Sequence, residues 1–174
     1  DVSRGHTVAI ERTGLPHPTY VDASSSCPVE GHDVALVRLV VPVTDRKPLS
    51  LGAGTAPNQT LVAVGFGQNG EYPENTRGRK RSDTEWLMDQ GENFLHTHGL
   101  TGQTDHGDSG GPILFGGDIV GVTSCGGGIN NFYARVASVE PWIRTIVKDL
   151  PSAPGDPPPA ATGTPIPGSH MSRE

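Results

Sequence analysis

The sequence has no apolar run of about eighteen residues, the length that a membrane-crossing helix needs, so no membrane span is expected. It also lacks a basic excess, because 13 Lys and Arg stand against 19 Asp and Glu and the formal charge is −6. This balance argues against nucleic acid as a partner. The acidic chain contains one basic cluster, formed by Arg77, Arg79, Lys80 and Arg81. We interpret this cluster as an exposed loop; a proteolytic nicking site and a nucleic-acid contact are the alternatives.

Cysteine is scarce, since Cys27 and Cys125 are the only two in 174 residues. Histidines at the spacing of metal ligands are also few. His96 and His98 alternate around Thr97, as in a strand with one exposed face, but no carboxylate or cysteine stands at ligand spacing from them. The sequence therefore predicts no metal site and no cofactor.

Glycine is abundant, with 24 residues, which indicates many tight turns. Short apolar runs recur between the turn residues, at Val34–Val41, Leu61–Val64, Ile113–Phe115, Ile119–Val122 and Phe132–Ala137. This pattern predicts an all-β sandwich or barrel. One stretch, Val139–Leu150, has the apolar spacing of an amphipathic helix.

The composition divides the chain into two parts. Residues 1–150 form the predicted folded domain, which is long enough to bury a core. Residues 151–174 are rich in proline with small polar residues, and the sequence predicts a disordered linker or tail there.

The most informative motif is GDSGGP at residues 107–112. A serine between small residues on a tight turn suits nucleophilic acyl transfer. Gly107 allows a backbone amide to approach a reacting carbonyl, and the amides of Gly107 and Ser109 are candidates for a two-donor oxyanion hole. The plain alternative is a glycine-rich hairpin turn that happens to contain a serine.

The motif resembles the nucleophile segment of the trypsin/chymotrypsin family of serine endopeptidases. Other segments resemble that family in the same chain order: HPTY at 17–20, GHDVALVRL at 31–39, GFG at 65–67, GVTS at 121–124, FYARV at 132–136 and PWI at 141–143. The resemblance implies a double β-barrel with a C-terminal helix. It also implies that Asp33 orients the catalytic histidine and that Ser109 is the nucleophile.

The segment that carries the family's catalytic histidine is not found before His17. His6 lacks the flanking motif and lies too close to Asp33. The sequence therefore predicts that the first barrel is incomplete in this chain and that an N-terminal segment, or a separate chain, completes it and donates the histidine. Exposed strand edges would make this chain alone poorly soluble.

The resemblance also assigns the substrate pocket. Gln103, six residues before Ser109, would lie at its base, and Thr104 and Asn131 would make it polar and neutral, so a trypsin-like preference is not expected. Asp105 would restore one only after a shift in loop register. The remaining lining residues would be Ser124, Cys125 and Gly126.

Two further roles follow from the resemblance. Asp108 would form an ion pair with a newly cut N-terminal amine, as in family members activated by cleavage. A Cys27–Cys125 disulfide would brace the cleft, with free thiols or pairing to another cysteine as the alternatives. The sparse disulfide framework is similar to that of some bacterial members.

Three functions are compatible with these observations. The first is a secreted serine endopeptidase that acts on proteins or peptides. The second is a catalytically inactive pseudoprotease that serves as a protein-binding module. The third is a two-part enzyme in which another chain supplies the histidine.

Overall fold

The computed structural model describes residues 7–11, 14–21, 27, 31–68 and 78–148. These residues form eight β-strands and one α-helix. The predicted Pro-rich tail at 151–174 and His6 lie outside the described residues. Among the described residues, the single helix is too short and too polar to span a bilayer.

Six antiparallel strands close into a barrel. They are β3 (Thr60–Gly65), β4 (Arg81–Gln90), β5 (Phe94–Gly99), β6 (Pro112–Phe115), β7 (Asp118–Gly127) and β8 (Asn130–Arg135). The strand order around the barrel is β3-β4-β5-β8-β7-β6. Alternation of side chains along each strand sends every second residue inward, so that the barrel interior becomes the main core. The buried apolar side chains are Leu61, Ala63, Leu87, Leu95, Ile113, Val120 and Tyr133.

The part of the chain before the barrel is much less regular. Here β1 (Leu15–Pro16) pairs with β2 (Ala35–Leu36), and isolated bridges join Ile10 to Leu39 and Leu51 to Ile119. The apolar run 34–41 predicted a longer strand than the structure contains. A strand extends only as far as a partner offers hydrogen bonds, and among the described residues β2 is paired with only the two residues of β1. The predicted double-barrel fold with an incomplete first barrel is confirmed.

The helix, α1, spans Val136–Ile146 and begins three residues before the predicted start. Val136 is almost fully buried. It lies before the apolar periodicity of the predicted helix, so the sequence did not indicate this burial. The helix packs Val139 and Ile143 against Val34 and Ala134 in a second apolar cluster. Leu36, Leu51, Val122 and Trp142 surround this cluster. The helix therefore fastens the leading part of the chain to the barrel.

Strand β4 was not expected from the sequence. Arg81, assigned there to an exposed basic loop, begins this ten-residue strand, while Arg79 and Lys80 precede it. The strand is rich in polar residues, and its apolar residues are confined to Trp86–Met88. Its inward positions include Leu87 and the charged Glu85, both fully buried.

Candidate active site

The GDSGGP motif forms the turn that leads into β6. Gly107 and Gly110 have φ angles of 99° and 81°, a left-handed conformation that favours glycine. A Cβ at Gly111 would lie 2.8 Å from the Asp108 carbonyl oxygen and 2.9 Å from that of Val64. The three glycines are thus required by the backbone of this turn, and Ser109 is exposed at its tip.

Backbone hydrogen bonds fix the turn against β7. The Gly110 amide donates to the Thr123 carbonyl at 2.9 Å, and the Thr123 amide donates to the Gly111 carbonyl at 2.8 Å. The Thr123 hydroxyl donates to the same Gly111 oxygen at 3.0 Å. Across the described residues, no hydrogen bond engages the amides of Gly107 and Ser109.

The Asp108 carboxylate is turned away from Ser109 and into the GFG turn. Its oxygens accept hydrogen bonds from the amides of Gly67 at 2.7 Å and Asp105 at 2.9 Å. A Cβ at Gly65 or Gly67 would collide with this carboxylate. Asp108 also lines a cavity of about 630 Å³ between β3, β4 and the loop at 99–105.

Asp33 is linked to β7 through Ser124, whose hydroxyl donates to Asp33 Oδ2 at 2.6 Å. The β7–β8 register shifts between Thr123 and Cys125, so Ser124 is the extra residue of a β-bulge. The next residue, Cys125, forms a disulfide with Cys27, with Cα atoms 6.0 Å apart. Two consecutive residues of β7 therefore hold the segment that carries Asp33.

A cavity of about 340 Å³ joins these elements. Ser109 lies on one side of it and Ser124 on another, and the remaining lining residues are Gln103, Thr104, Asp105, His106, Thr123, Cys125, Gly126, Gly127 and Gly128. Ser124 is also hydrogen-bonded to Asp33, which lies outside the lining of this cavity. Ser124 thus links the cavity beside the candidate nucleophile to the candidate acid, although the two are separated in sequence.

The predicted pocket residues divide into a lining and a backing layer. Gln103, Thr104 and Gly126 line the cavity, whereas Asn131 is fully buried and lies behind Thr104. The Thr104 hydroxyl donates to Asn131 Oδ1 at 2.8 Å. A Cβ at Gly126 would lie 2.8 Å from the Asn130 carbonyl oxygen, so glycine is needed where β7 and β8 come together.

Glu85 is the site-related residue that the sequence did not indicate. It is fully buried inside the barrel. Glu85 Oε1 accepts hydrogen bonds from Asn131 Nδ2 at 3.1 Å and the Tyr133 hydroxyl at 2.8 Å, and Oε2 accepts one from Thr97. Burial raises the pKa of Glu85, while these three hydrogen bonds act in the opposite direction. Burial, followed by the charge of Glu85, raises the pKa of Tyr133.

Four of the five described histidines have contacts in three places, and the fifth, His98, lies in β5. His106 lines the Ser109 cavity, with its side chain 85% exposed and its Nδ1 3.5 Å from Asp105 Oδ1. His17 packs against His32 and Trp142, with ring centroids 4.4 Å and 4.7 Å apart. His96 stacks on Phe132 on the outer face of the barrel. Among the described residues, none of these rings is hydrogen-bonded to Asp33 or Ser109.

His17 and His32 share one partner, because the Thr19 hydroxyl lies 3.0 Å from His17 Nδ1 and 2.7 Å from His32 Nδ1. Loss of water around the ring lowers the pKa of His17, and the neighbouring His32 lowers it further. His32 is itself half-buried and packed on His17.

Comparison with known proteins agrees with this geometry. The profile of the Trypsin family matches residues 2–143, and the chain belongs to that family. Mouse neuropsin, a serine protease expressed in the limbic system of the brain, superposes with a TM-score of 0.67 and 22% identity. The superposition covers 80% of this chain and 71% of neuropsin.

A second similar structure is the scabies mite inactivated protease paralogue S-I1. It superposes with a TM-score of 0.57 and 20% identity, over 67% of this chain and 61% of the mite protein. No curated protein sequence matches the chain. At these identities the two structures establish the trypsin-like fold.

Proposed function

We propose that the protein is a secreted serine endopeptidase that cleaves peptide bonds in proteins or peptides by acyl transfer, without a cofactor. The observation that carries the proposal is the shared cavity. Ser109 and Ser124 both line it, and the Ser124 hydroxyl is hydrogen-bonded to Asp33. Membership of the Trypsin family supports the same chemistry.

In the proposed mechanism, Ser109 Oγ attacks the scissile carbonyl carbon while a histidine takes the hydroxyl proton. The amides of Gly107 and Ser109 donate to the resulting oxyanion. The histidine then protonates the leaving amine, and water hydrolyses the acyl-enzyme by the reverse proton transfers. Asp33 holds the histidine in the required tautomer and stabilises its charged form. Gln103, Thr104 and Gly126 line the substrate pocket.

We further propose that an N-terminal segment, or another chain, supplies that histidine and completes the first barrel. Two observations support this. Among the described residues, no histidine joins Asp33 to Ser109, and the region before the barrel exposes many apolar side chains. A completing segment would cover these side chains and extend β1 and β2.

The same segment would activate the enzyme. Asp108 lines the cavity of about 630 Å³ and is held there by two backbone amides. A newly cut N-terminal amine entering this cavity would pair with the carboxylate and hold the Ser109 turn in its reactive form. Secretion fits the Cys27–Cys125 disulfide, because disulfides persist in oxidising compartments.

Labelling with a fluorophosphonate probe tests the proposal in the protein that includes this segment. Probe attached to Ser109, and absent from Ser109→Ala, is the expected result. Ser50→Ala is the matched control, because Ser50 lines neither of the two cavities, and it should label normally. A folded, soluble protein whose Ser109 is never labelled would refute the endopeptidase proposal.

A pseudoprotease is the second candidate function. It is favoured by the similarity to a mite paralogue described as inactivated and by the lack, among the described residues, of a histidine hydrogen-bonded to Ser109. In that case Ser109 would not be labelled, and the cavity would serve to bind a protein segment without cutting it.

A further inference from the structure

The turn that leads into β3 presents an asparagine to solvent. Asn58 is exposed and has a φ of 70°, a left-handed conformation that asparagine adopts more readily than most residues. Its backbone amide donates to the Leu87 carbonyl at 2.9 Å, and the Leu87 amide donates to the Gln59 carbonyl at 2.8 Å. The Gln59 side chain folds back onto the turn, where its Oε1 accepts from the Ala56 amide at 2.9 Å. The turn is therefore held against β4, and Asn58 remains at the surface.

Asn58 belongs to an acceptor motif for N-linked glycosylation. It is followed by Gln59 and by Thr60, the first residue of β3, which is also exposed. This is the one place in the 174 residues where an asparagine stands two positions before a serine or threonine. With a residue other than proline between them, the pair is the pattern that the modification requires, on a surface segment of a secreted protein. Asn58 and Thr60 line neither of the two cavities near the Ser109 turn.

An exposed apolar patch lies beside this motif on the outer face of the barrel. Thr60 pairs with Trp86 across β3 and β4. Val62 follows two residues after Thr60, and therefore shares its face. Met88 follows two residues after Trp86 in the same way. Val62, Trp86 and Met88 are between 36% and 47% exposed, and covering such a patch would be favourable.

We propose that Asn58 carries an N-linked oligosaccharide whose first sugar packs on Trp86. This inference rests on the proposed secretion, because the transfer takes place in the secretory pathway. The donor is an oligosaccharide linked to a lipid pyrophosphate. Asn58 Nδ2 forms a bond to C1 of the first sugar and loses one proton. The bond between C1 and the pyrophosphate oxygen breaks, and the lipid pyrophosphate leaves with the electron pair.

The packing follows from the chemistry of the two surfaces. One face of a pyranose ring presents C–H groups, and the face of an indole ring carries partial negative charge that attracts them. Thr60, two residues after the sugar-bearing Asn58, is directly opposite Trp86. The first sugar would thus cover the indole and reduce the apolar area exposed on this side of the barrel.

Production with a cleavable signal peptide in cultured mammalian cells tests the modification. The intact mass of the secreted chain is measured before and after peptide N-glycosidase, which leaves an aspartate where a glycan was attached. We expect a mass decrease and an aspartate at position 58. Asn58→Gln and Thr60→Ala should abolish the modification, whereas Thr60→Ser should retain it. Thr84→Ala changes a threonine of the neighbouring strand outside the motif, and it should be modified normally.

Thermal unfolding tests the contact with Trp86. Protein trimmed by an endoglycosidase to its first sugar should melt roughly 2–4 °C above the Asn58→Gln variant. Trp86→Val removes the aromatic face and should abolish this difference, whereas Trp86→Tyr should retain it. Ile146→Ser replaces an exposed apolar side chain on α1 and is the control, in which the difference should persist.

The proposal is overturned if Asn58 of the secreted protein is unmodified, or if the melting difference persists in Trp86→Val. Should the Trp86 variants fail to fold, the indole NMR signal of Trp86 decides. It should differ between the trimmed protein and Asn58→Gln, while that of Trp142 should not, and an unchanged Trp86 signal would refute the contact.

Fluorophosphonate labelling of Ser109 in the complete protein separates this proposal from the proposed function. A labelled serine with an unmodified Asn58 would keep the enzyme and refute the glycan. A modified Asn58 with an unlabelled serine would refute the enzyme and keep the glycan.

Discussion

The closed barrel (β3–β8) and the leading segment (residues 7–51) treat their apolar side chains differently. The barrel buries them, whereas the leading segment leaves most of them exposed. In the barrel, inward positions such as Leu61, Leu95 and Ile113 are inaccessible to solvent. In the leading segment, Val34 is the one buried apolar side chain among the described residues, and many others are exposed, including Leu15, Leu39 and Val41. Closure of a sheet buries one face of every strand, whereas a pair of two-residue strands buries almost nothing.

The largest expected effect concerns the acid that the leading segment contributes to the barrel. Asp33→Asn should lower kcat of the complete enzyme by about 10⁴-fold, because the histidine would then lose the partner that fixes its tautomer. Steady-state kinetics on a peptide substrate measure this. Asp45→Asn removes an exposed acid from the same segment and should leave kcat unchanged. A similar loss in both variants would contradict the role of Asp33.

The disulfide should matter more for the leading segment than for the barrel. Replacing Cys27 and Cys125 by serine removes a link between residues 98 apart and should cost about 4–5 kcal/mol by the loop-entropy estimate. We expect faster amide hydrogen exchange in residues 31–39 and little change in β3 and β5. Equal acceleration throughout would show that the two regions unfold as one unit.

Shortening an apolar side chain should cost more free energy of unfolding in the barrel than in the leading segment. Leu61→Ala opens a cavity inside the barrel and should cost about 2–5 kcal/mol, measured by denaturant unfolding. Val41→Ala, at a side chain 65% exposed, should cost roughly 0.5 kcal/mol or less in this chain. The same measurement can be made on a protein that includes the completing segment. A larger loss of unfolding free energy on Val41→Ala in that protein would show that the segment covers this side chain.

The smallest effect should come from the contact between His17, His32 and Trp142. Because the pKa of His17 is lowered in the folded state, the unfolded chain binds more protons just below pH 6.5. Its contribution to stability is therefore present above about pH 6.5 and lost as the pH falls through the folded pKa. Melting temperatures between pH 8 and pH 5 should fall less for His17→Gln than for the unmodified chain.

His106→Gln is the control for this pH dependence, since its side chain is 85% exposed and lies outside the contact between His17, His32 and Trp142. A melting curve with the same pH dependence in His17→Gln as in the unmodified chain would show that His17 is not the responsible group.

The fold class followed from the sequence because barrel strands β3, β6 and β8 carry apolar residues bounded by turns. Ser109 and Asp33 were indicated by motifs whose glycines and flanking residues are needed for a particular backbone. The predicted pairing of Cys27 with Cys125 is present as well. These features are local, or are constrained by a few residues at fixed spacing.

Features that depend on distant partners were not indicated. Strand β4 is polar in composition, and its inward Glu85 is tolerated only because Thr97, Asn131 and Tyr133 come from two other strands. The run at 34–41 was interpreted as a full strand because apolar content does not show whether a neighbour exists. The start of α1 was placed too late, since burial of Val136 depends on the barrel beside it.

The β-bulge at Ser124 has a consequence for how the length of this chain can vary. It allows two consecutive side chains of β7 to hold the leading segment, one by a hydrogen bond and one by a covalent bond. Deleting or inserting one residue between 123 and 125 would reverse the alternation of the strand and disconnect at least one of them. In related sequences, insertions and deletions should therefore fall in the turn at 128–129, and β7 should keep its number of residues.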